Sequence, residues 1–225
     1  MERVSVIVLG ALLLVSLALA GKGAAQLPED PREIPREAQL TSTRTRADLD
    51  GDGRPEGLLL VNSLTGSQQK ARASEVVLGV YSEGDEGGLL WVRHVMRDTG
   101  RPAHDGELMA LDLDGDGASE LILTWDSSLT AEKVERWAEI YTTSDTARPR
   151  KIWEGAWVRD TRRDPATGEN ARELFRREID YAATRKAAGR AIVFRKVHRM
   201  IAGKTIDPAK TVTERVEVSL RWSAS

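Results

Sequence analysis

The chain contains no cysteine at all. Disulfides, thiolate metal sites, haem attachment and cysteine nucleophiles are therefore excluded. Histidine is almost as scarce: His94, His104 and His198 are too few for a His-rich zinc centre. Neither sign of charge predominates, with 33 Lys and Arg against 35 Asp and Glu, and a net charge of −2 is not the footprint of a nucleic-acid binder. No G-x-S-x-G element occurs, so a hydrolase nucleophile elbow is missing. Gly203-Lys204-Thr205 evokes a phosphate loop, yet His198 stands where its first glycine belongs. Long apolar runs are missing too, outside the first 20 residues. What remains, 40% hydrophobic and 30% charged over 225 residues, is ordinary globular composition with enough chain for a real core.

Residues 1–20 form the one apolar run, from Val4 to Ala20 behind a short basic start at Arg3, and close on Ala18-Leu19-Ala20. That is the shape of a secretory signal peptide, with a small-x-small cleavage site. The rival reading is an uncleaved membrane anchor, and only then would the protein have a membrane partner. Both place the body in an extracytoplasmic compartment, secreted or periplasmic, where the lack of disulfides calls for another staple. A bound metal is a natural one.

Residues 21–37 carry Pro28, Pro31 and Pro35 among mixed charges and are expected to be an extended linker. Beyond them, short β-branched or alternating runs are bounded by Gly, Asp and Pro. The pattern predicts strands over Leu58–Val61, Glu75–Tyr81, Leu89–Val95, Glu107–Leu113, Leu121–Trp125, Val134–Thr142, Lys151–Val158, Ala191–His198 and Thr211–Trp222. Ala171–Ala183 fits helical and alternating templates almost equally and is assigned to strand. The fold class is all-β, built of antiparallel meanders.

One pattern occurs twice. Residues 47–61 read ADLDGDGRPEGLLLV and residues 111–125 read LDLDGDGASELILTW, with Asp48 and Asp112 64 residues apart. Aspartates at alternate positions of a tight loop converge their short side chains on one point, and the glycine at position six permits the bend. Such an oxygen-rich cage suits calcium, which takes six to eight oxygens in tolerant geometry, better than magnesium. An EF-hand is excluded, because its bidentate Glu at position twelve is replaced by Leu59 and Leu123, inside strand-like runs.

With a carboxylate at position nine and a strand directly after it, residues 40–126 resemble the FG-GAP/VCBS repeats of integrin α-chain propellers and of many exported bacterial proteins. The resemblance implies four-stranded blades, the loop joining two strands of a hairpin. It implies about two Ca2+ ions, one held by Asp48, Asp50, Asp52, the Arg54 carbonyl and Glu56. The second would be held by Asp112, Asp114, Asp116, the Ala118 carbonyl and Glu120. The Phe-Gly and Gly-Ala-Pro elements that name the family are absent, and Glu stands at position nine where Asp is usual.

Residues 38–130 thus form two repeats, and 131–225 an antiparallel β region. A degenerate third repeat around Asp180 is the alternative to chance similarity there. The length allows about three blades, too few for a closed propeller, so an incomplete, propeller-like or open β-domain is expected. Basic residues cluster late, from Arg185 to Lys204, and read as a charged sheet edge or a docking patch for an anionic partner. The expected role is a non-enzymatic interaction or surface module with a protein or glycan partner. The alternatives are a scaffold for a hydrolase and a carbohydrate-binding module using exposed tryptophans, with Trp153 and Trp157 on one strand face.

Overall fold

The repeat in the sequence is a repeat in hydrogen bonding. In the computed structural model, which describes residues 27–65, 73–82, 87–129, 133–144, 146–161, 171–186, 191–202, 205–206 and 212–219, each Asp-rich loop closes a β-hairpin. The first lies between β1 (Gln39–Ala47) and β2 (Glu56–Thr65), the second between β5 (His104–Leu111) and β6 (Glu120–Leu129). The pairs that flank the loops, Ala47 with Glu56 and Leu111 with Glu120, are themselves 64 residues apart.

Each hairpin grows into a four-stranded antiparallel meander. β3 (Ala73–Tyr81) and β4 (Leu89–His94) complete the first sheet in the order 1-2-3-4. β7 (Lys133–Ser144) and β8 (Thr146–Thr161) extend the second, which continues through β9 (Ala171–Ile179) to β10 (Ala191–Ala202). β11 (Thr205–Ile206) and β12 (Val212–Ser219) both pair with β10. The fold is all-β, antiparallel and open.

Alternation along the strands decides how the sheets stack. The first sheet turns Leu58, Leu60, Val76, Leu78 and Val80 inward, and the second answers with Leu121, Leu123, Trp125 and Tyr141. By the 64-residue shift, Leu121 and Leu123 correspond to Gly57 and Leu59, which lie on the outer face of the first sheet. The two units therefore stack face to back, as consecutive blades do. The seam also carries ions: fully buried Glu139 accepts from Arg93 at 2.5 and 3.0 Å, from Lys151 at 3.0 Å and from the Tyr141 hydroxyl. Burial and the adjacent carboxylate push the Tyr141 hydroxyl far above the usual phenol range. Trp91 meets Tyr141 edge-on, with centroids 5.2 Å apart.

Face-to-back stacking leaves each outer face apolar, and each is covered. Residues 27–38, all but the last expected to be linker, fold over the first sheet in two 3-10 turns. Ile34 packs there against Leu59, Val61, Val77 and Tyr81, and Asp30 accepts from the Tyr81 hydroxyl at 2.8 Å. Pro31 sits so close over Gly79 that a Cβ there would lie 2.8 Å from the proline ring. An apolar face with no second sheet over it is the physical reason this segment docks. On the far face Leu113, Ile122 and Ile140 are covered by Ile152, Trp153, Trp157 and Ile179.

Other expectations shift locally. Val95 begins the short helix α1 (Val95–Thr99) instead of ending β4, because the buried Glu75 carboxylate accepts from the Met96 and Arg97 amides and caps the turn. Ala171–Ala183 divides: β9 ends at Ile179, and Asp180 accepts from the Ala183 amide at 3.0 Å to open α2 (Tyr181–Lys186). A helical turn thus stands where a third loop would lie. Of the scarce histidines, His94 is buried near Glu29 and His104 meets Ser74. The apolar segment 1–20, the phosphate-loop-like stretch at 203–204, Trp222 and the late basic side chains beyond Arg185 lie outside what is described.

Two stability measurements follow. Ile34→Ala is expected to cost about 2–4 kcal/mol in urea unfolding, whereas Leu40→Ala, 55% exposed on β1, changes stability by no more than about 0.5 kcal/mol. Arg93→Met leaves Glu139 buried without its bidentate partner and is expected to cost about 3–5 kcal/mol; an effect below 1 kcal/mol would remove the ionic tie between the sheets.

Candidate metal centre

Both loops are built by the same five bonds. Asp48 accepts from the Gly51 and Gly53 amides at 2.7 and 2.8 Å, as Asp112 does from Gly115 and Gly117 at 2.6 and 3.2 Å. Asp50 accepts from Asp52 N at 3.2 Å and Asp52 from Arg54 N at 2.7 Å. Asp114 and Asp116 repeat this with Asp116 N and Ala118 N, at 3.1 and 2.9 Å. Glu56 reaches back to the Leu49 amide at 2.8 Å, and Glu120 to the Leu113 amide at 2.9 Å. The glycines at positions four and six of each loop, Gly51, Gly53, Gly115 and Gly117, all have φ between 78 and 98°, which is open to glycine at little cost.

The loop is anchored by its second residue. Leu49 and Leu113 are buried, one in the seam between the sheets and one in the outer cluster of the second sheet. With the leucine inside, the aspartates on either side point outward, so the D-L-D alternation itself separates core from cage.

Carboxylate oxygens of Asp48, Asp50 and Glu56 lie within 4.8 Å of one another in the first loop, as do those of Asp112, Asp114 and Asp116 in the second. Asp52 and Glu120 fall outside these tightest sets. Arg54 is exposed and Ala118 is buried against Gly51. The two loops touch: the Ser119 amide donates to the Asp48 carbonyl at 2.8 Å. Both clusters thus sit side by side at one end of the stacked sheets.

The electrostatics are those of acids crowded together. Burial raises the Glu56 carboxyl above the usual carboxylate range, and Asp50 and Asp48 add to the rise. Glu120 is pushed up to about 7 by burial, reinforced by Asp114, Asp116 and Asp112. Burial and Asp116 raise Asp114 likewise. Among the described residues no Lys or Arg is bonded to Glu56 or Glu120. Donor sets made only of oxygen, with a buried carboxylate lacking a basic partner, fit a hard divalent cation.

Sequence reasoning did not find the Glu139–Arg93–Lys151–Tyr141 cluster. Its residues come from β4, β7 and β8, and nothing in their spacing marks them as partners. The tryptophans are mostly spent on packing: Trp125 is fully buried, Trp91 and Trp137 pack on the seam, and Trp153 meets Trp157 edge-on within the outer cluster. Compared with known proteins, the chain matches no family model, no curated protein and no solved structure.

Because its folded carboxyl titrates near 7 against 4.5 for the free group, Glu120 binds its proton more tightly in the folded state. In the metal-free protein its charge therefore opposes folding above pH 7, and the cost fades as pH falls toward 4.5. Glu120→Gln, which keeps an oxygen for the Leu113 amide, is expected to raise metal-free stability at pH 8 by on the order of 2 kcal/mol and to have little effect at pH 4.5. Urea unfolding in chelator at the two pH values tests the sign.

Proposed function

We propose that this chain is an exported calcium-binding β-repeat protein that acts as an interaction or surface module without catalysing a reaction. The observation that carries the reading is the duplicated cage: two loops built by the same five hydrogen bonds, each gathering three carboxylates within 4.8 Å. The resemblance of both loops to FG-GAP/VCBS repeats supports it. So does the all-oxygen donor chemistry, which suits calcium more than magnesium because seven or more ligands in irregular geometry are tolerated.

Asp48, Asp50, Asp52 and Glu56 would hold one ion, and Asp112, Asp114, Asp116 and Glu120 the other, with the Arg54 and Ala118 carbonyls completing the shells. The ion supplies positive charge to acids that otherwise repel, and so stabilises the turn between paired strands. In a cysteine-free exported domain that takes the place of a disulfide staple. The role assigned is structural support for a binding surface, with the apolar N-terminal segment 1–20 as the export signal.

Calorimetric titration of the chelated protein is expected to show two calcium sites. At ten times the dissociation constant, each site stabilises the fold by roughly 1.4 kcal/mol, read as a rise in melting temperature. Asp50→Asn and Asp114→Asn should each remove one site and leave the other. Absence of both binding heat and thermal shift in millimolar calcium would overturn the reading.

A further inference from the structure

The 64-residue shift matches the two loops position by position, and at position eight they differ in kind. Ser119 of the second loop has Pro55 as its equivalent in the first. A proline carries no backbone N–H. The Ser119 N–H is the group that crosses between the loops, donating to the Asp48 carbonyl at 2.8 Å. The link therefore runs one way, from the second loop to the first, and Pro55 has no donor with which to make its like.

That N–H shares one peptide group with the Ala118 carbonyl. The group is trans, so its two polar ends point in opposite directions. With the N–H on Asp48, the Ala118 carbonyl is turned away from the first loop. The Ala118 amide is held in turn by the Asp116 carboxylate at 2.9 Å, and Gly51 closes against the same residue, where a Cβ would lie 3.7 Å from the amide nitrogen. The accepting end is equally committed. Asp48 spends both carboxylate oxygens on the Gly51 and Gly53 amides of its own loop, so its backbone carbonyl moves with the cage it heads.

We infer that the two cages take up calcium with positive cooperativity, coupled through the Ala118–Ser119 peptide group. The inference rests on the calcium reading of both loops, in which the Ala118 carbonyl belongs to the second shell and Asp48 to the first. Drawing on that carbonyl polarises the peptide and strengthens its N–H as a donor, as along any chain of hydrogen bonds. The firmer bond to Asp48 then fixes the first loop in its cage form. The reverse holds equally, because a coupling free energy between two sites is the same in both directions. Repulsion between the two cations opposes this. Gly51, Asp52, Gly53, Gly115, Asp116 and Gly117 are exposed, so that repulsion is screened over about 8 Å in 0.15 M salt, whereas a hydrogen-bonded peptide group is not.

The test is calorimetric titration of the full chain with calcium in about 0.15 M salt. Asp50→Asn and Asp114→Asn, each keeping one cage, give the binding constant of either site with its neighbour empty. In wild type the product of the two binding constants is expected to exceed the product of those single-site values by about fivefold or more. Ser119→Pro gives the second loop the proline that the first already carries at this position. Built into the same three backgrounds, it should remove most of that excess. Hydrogen exchange reads the link without the proline: in Asp50→Asn, where only the second cage fills, calcium should slow exchange of the Ser119 amide about fivefold or more. An excess that survives intact in Ser119→Pro, or an exchange rate unmoved by calcium, overturns the role of the peptide group. A wild-type product no larger than the single-site product overturns the cooperativity and leaves the calcium reading standing, whereas no binding heat in any background overturns both.

Discussion

A buried glutamate at the foot of each loop is the constraint from which the rest of the molecule follows. Glu56 and Glu120 begin the second strand of their hairpins, and each turns back to accept the amide of a leucine that is itself buried. One bond therefore fixes the strand, the loop and the core together. It also commits a carboxylate to a place where water is scarce and three more carboxylates stand close by. A hairpin closed in this way is tight and correctly registered, but it concentrates negative charge that must be neutralised by protons or by a cation.

Register at the loop sets the faces of the strands, and the faces set the stacking. Because each unit offers one apolar face to its neighbour and has another behind it, a stack of two leaves two apolar surfaces exposed. A ring would remove them by closure. This chain caps them instead, the first with Ile34 and Pro31, the second with Trp153, Trp157 and Ile179. The first cap copies the seam in miniature. Tyr81 and Tyr141 are equivalent in their units, one bonded to Asp30 beneath Arg32, the other to Glu139 beside Arg93. In the cap the short segment supplies both the acid and the arginine; in the seam the acid lies on the tyrosine's own strand and the neighbouring sheet supplies the arginine, much as terminal repeats cap an array.

The parts legible in the sequence are those governed by local rules. The loops announced themselves because their geometry needs Asp and Gly at fixed offsets, and the buried strands because β-branched and leucine runs have few other uses. β1 was not read as a strand: Thr41, Ser42, Thr43, Arg44 and Thr45 are exposed on both faces, so no alternation marks them. Segment 27–38 looked like a linker because three prolines hide the single isoleucine that docks. The turn at Tyr181–Lys186 was missed because a capping aspartate, Asp180, outweighs the alternation of Phe175 and Ile179 only once the strand has ended. Nothing in the sequence marks Glu139, since the arginine that pairs with it, Arg93, lies 46 residues away on a strand of the other sheet.

The two loops and the ionic seam divide the work of holding the sheets together. Glu139 and Arg93 tie β7 to β4 in the interior, where replacing two well-solvated ions by one buried pair gives specificity more than net stability. At the loop end the Ser119 amide donates to the Asp48 carbonyl, with Ala118 packed on Gly51. That contact is backbone to backbone, so it transmits any change in the shape of one loop to the other without a side chain between them. A cation held by the first cage would therefore act on the stacking of the two sheets as well as on its own hairpin, because the carbonyl that meets the second loop belongs to the residue whose carboxylate heads the first.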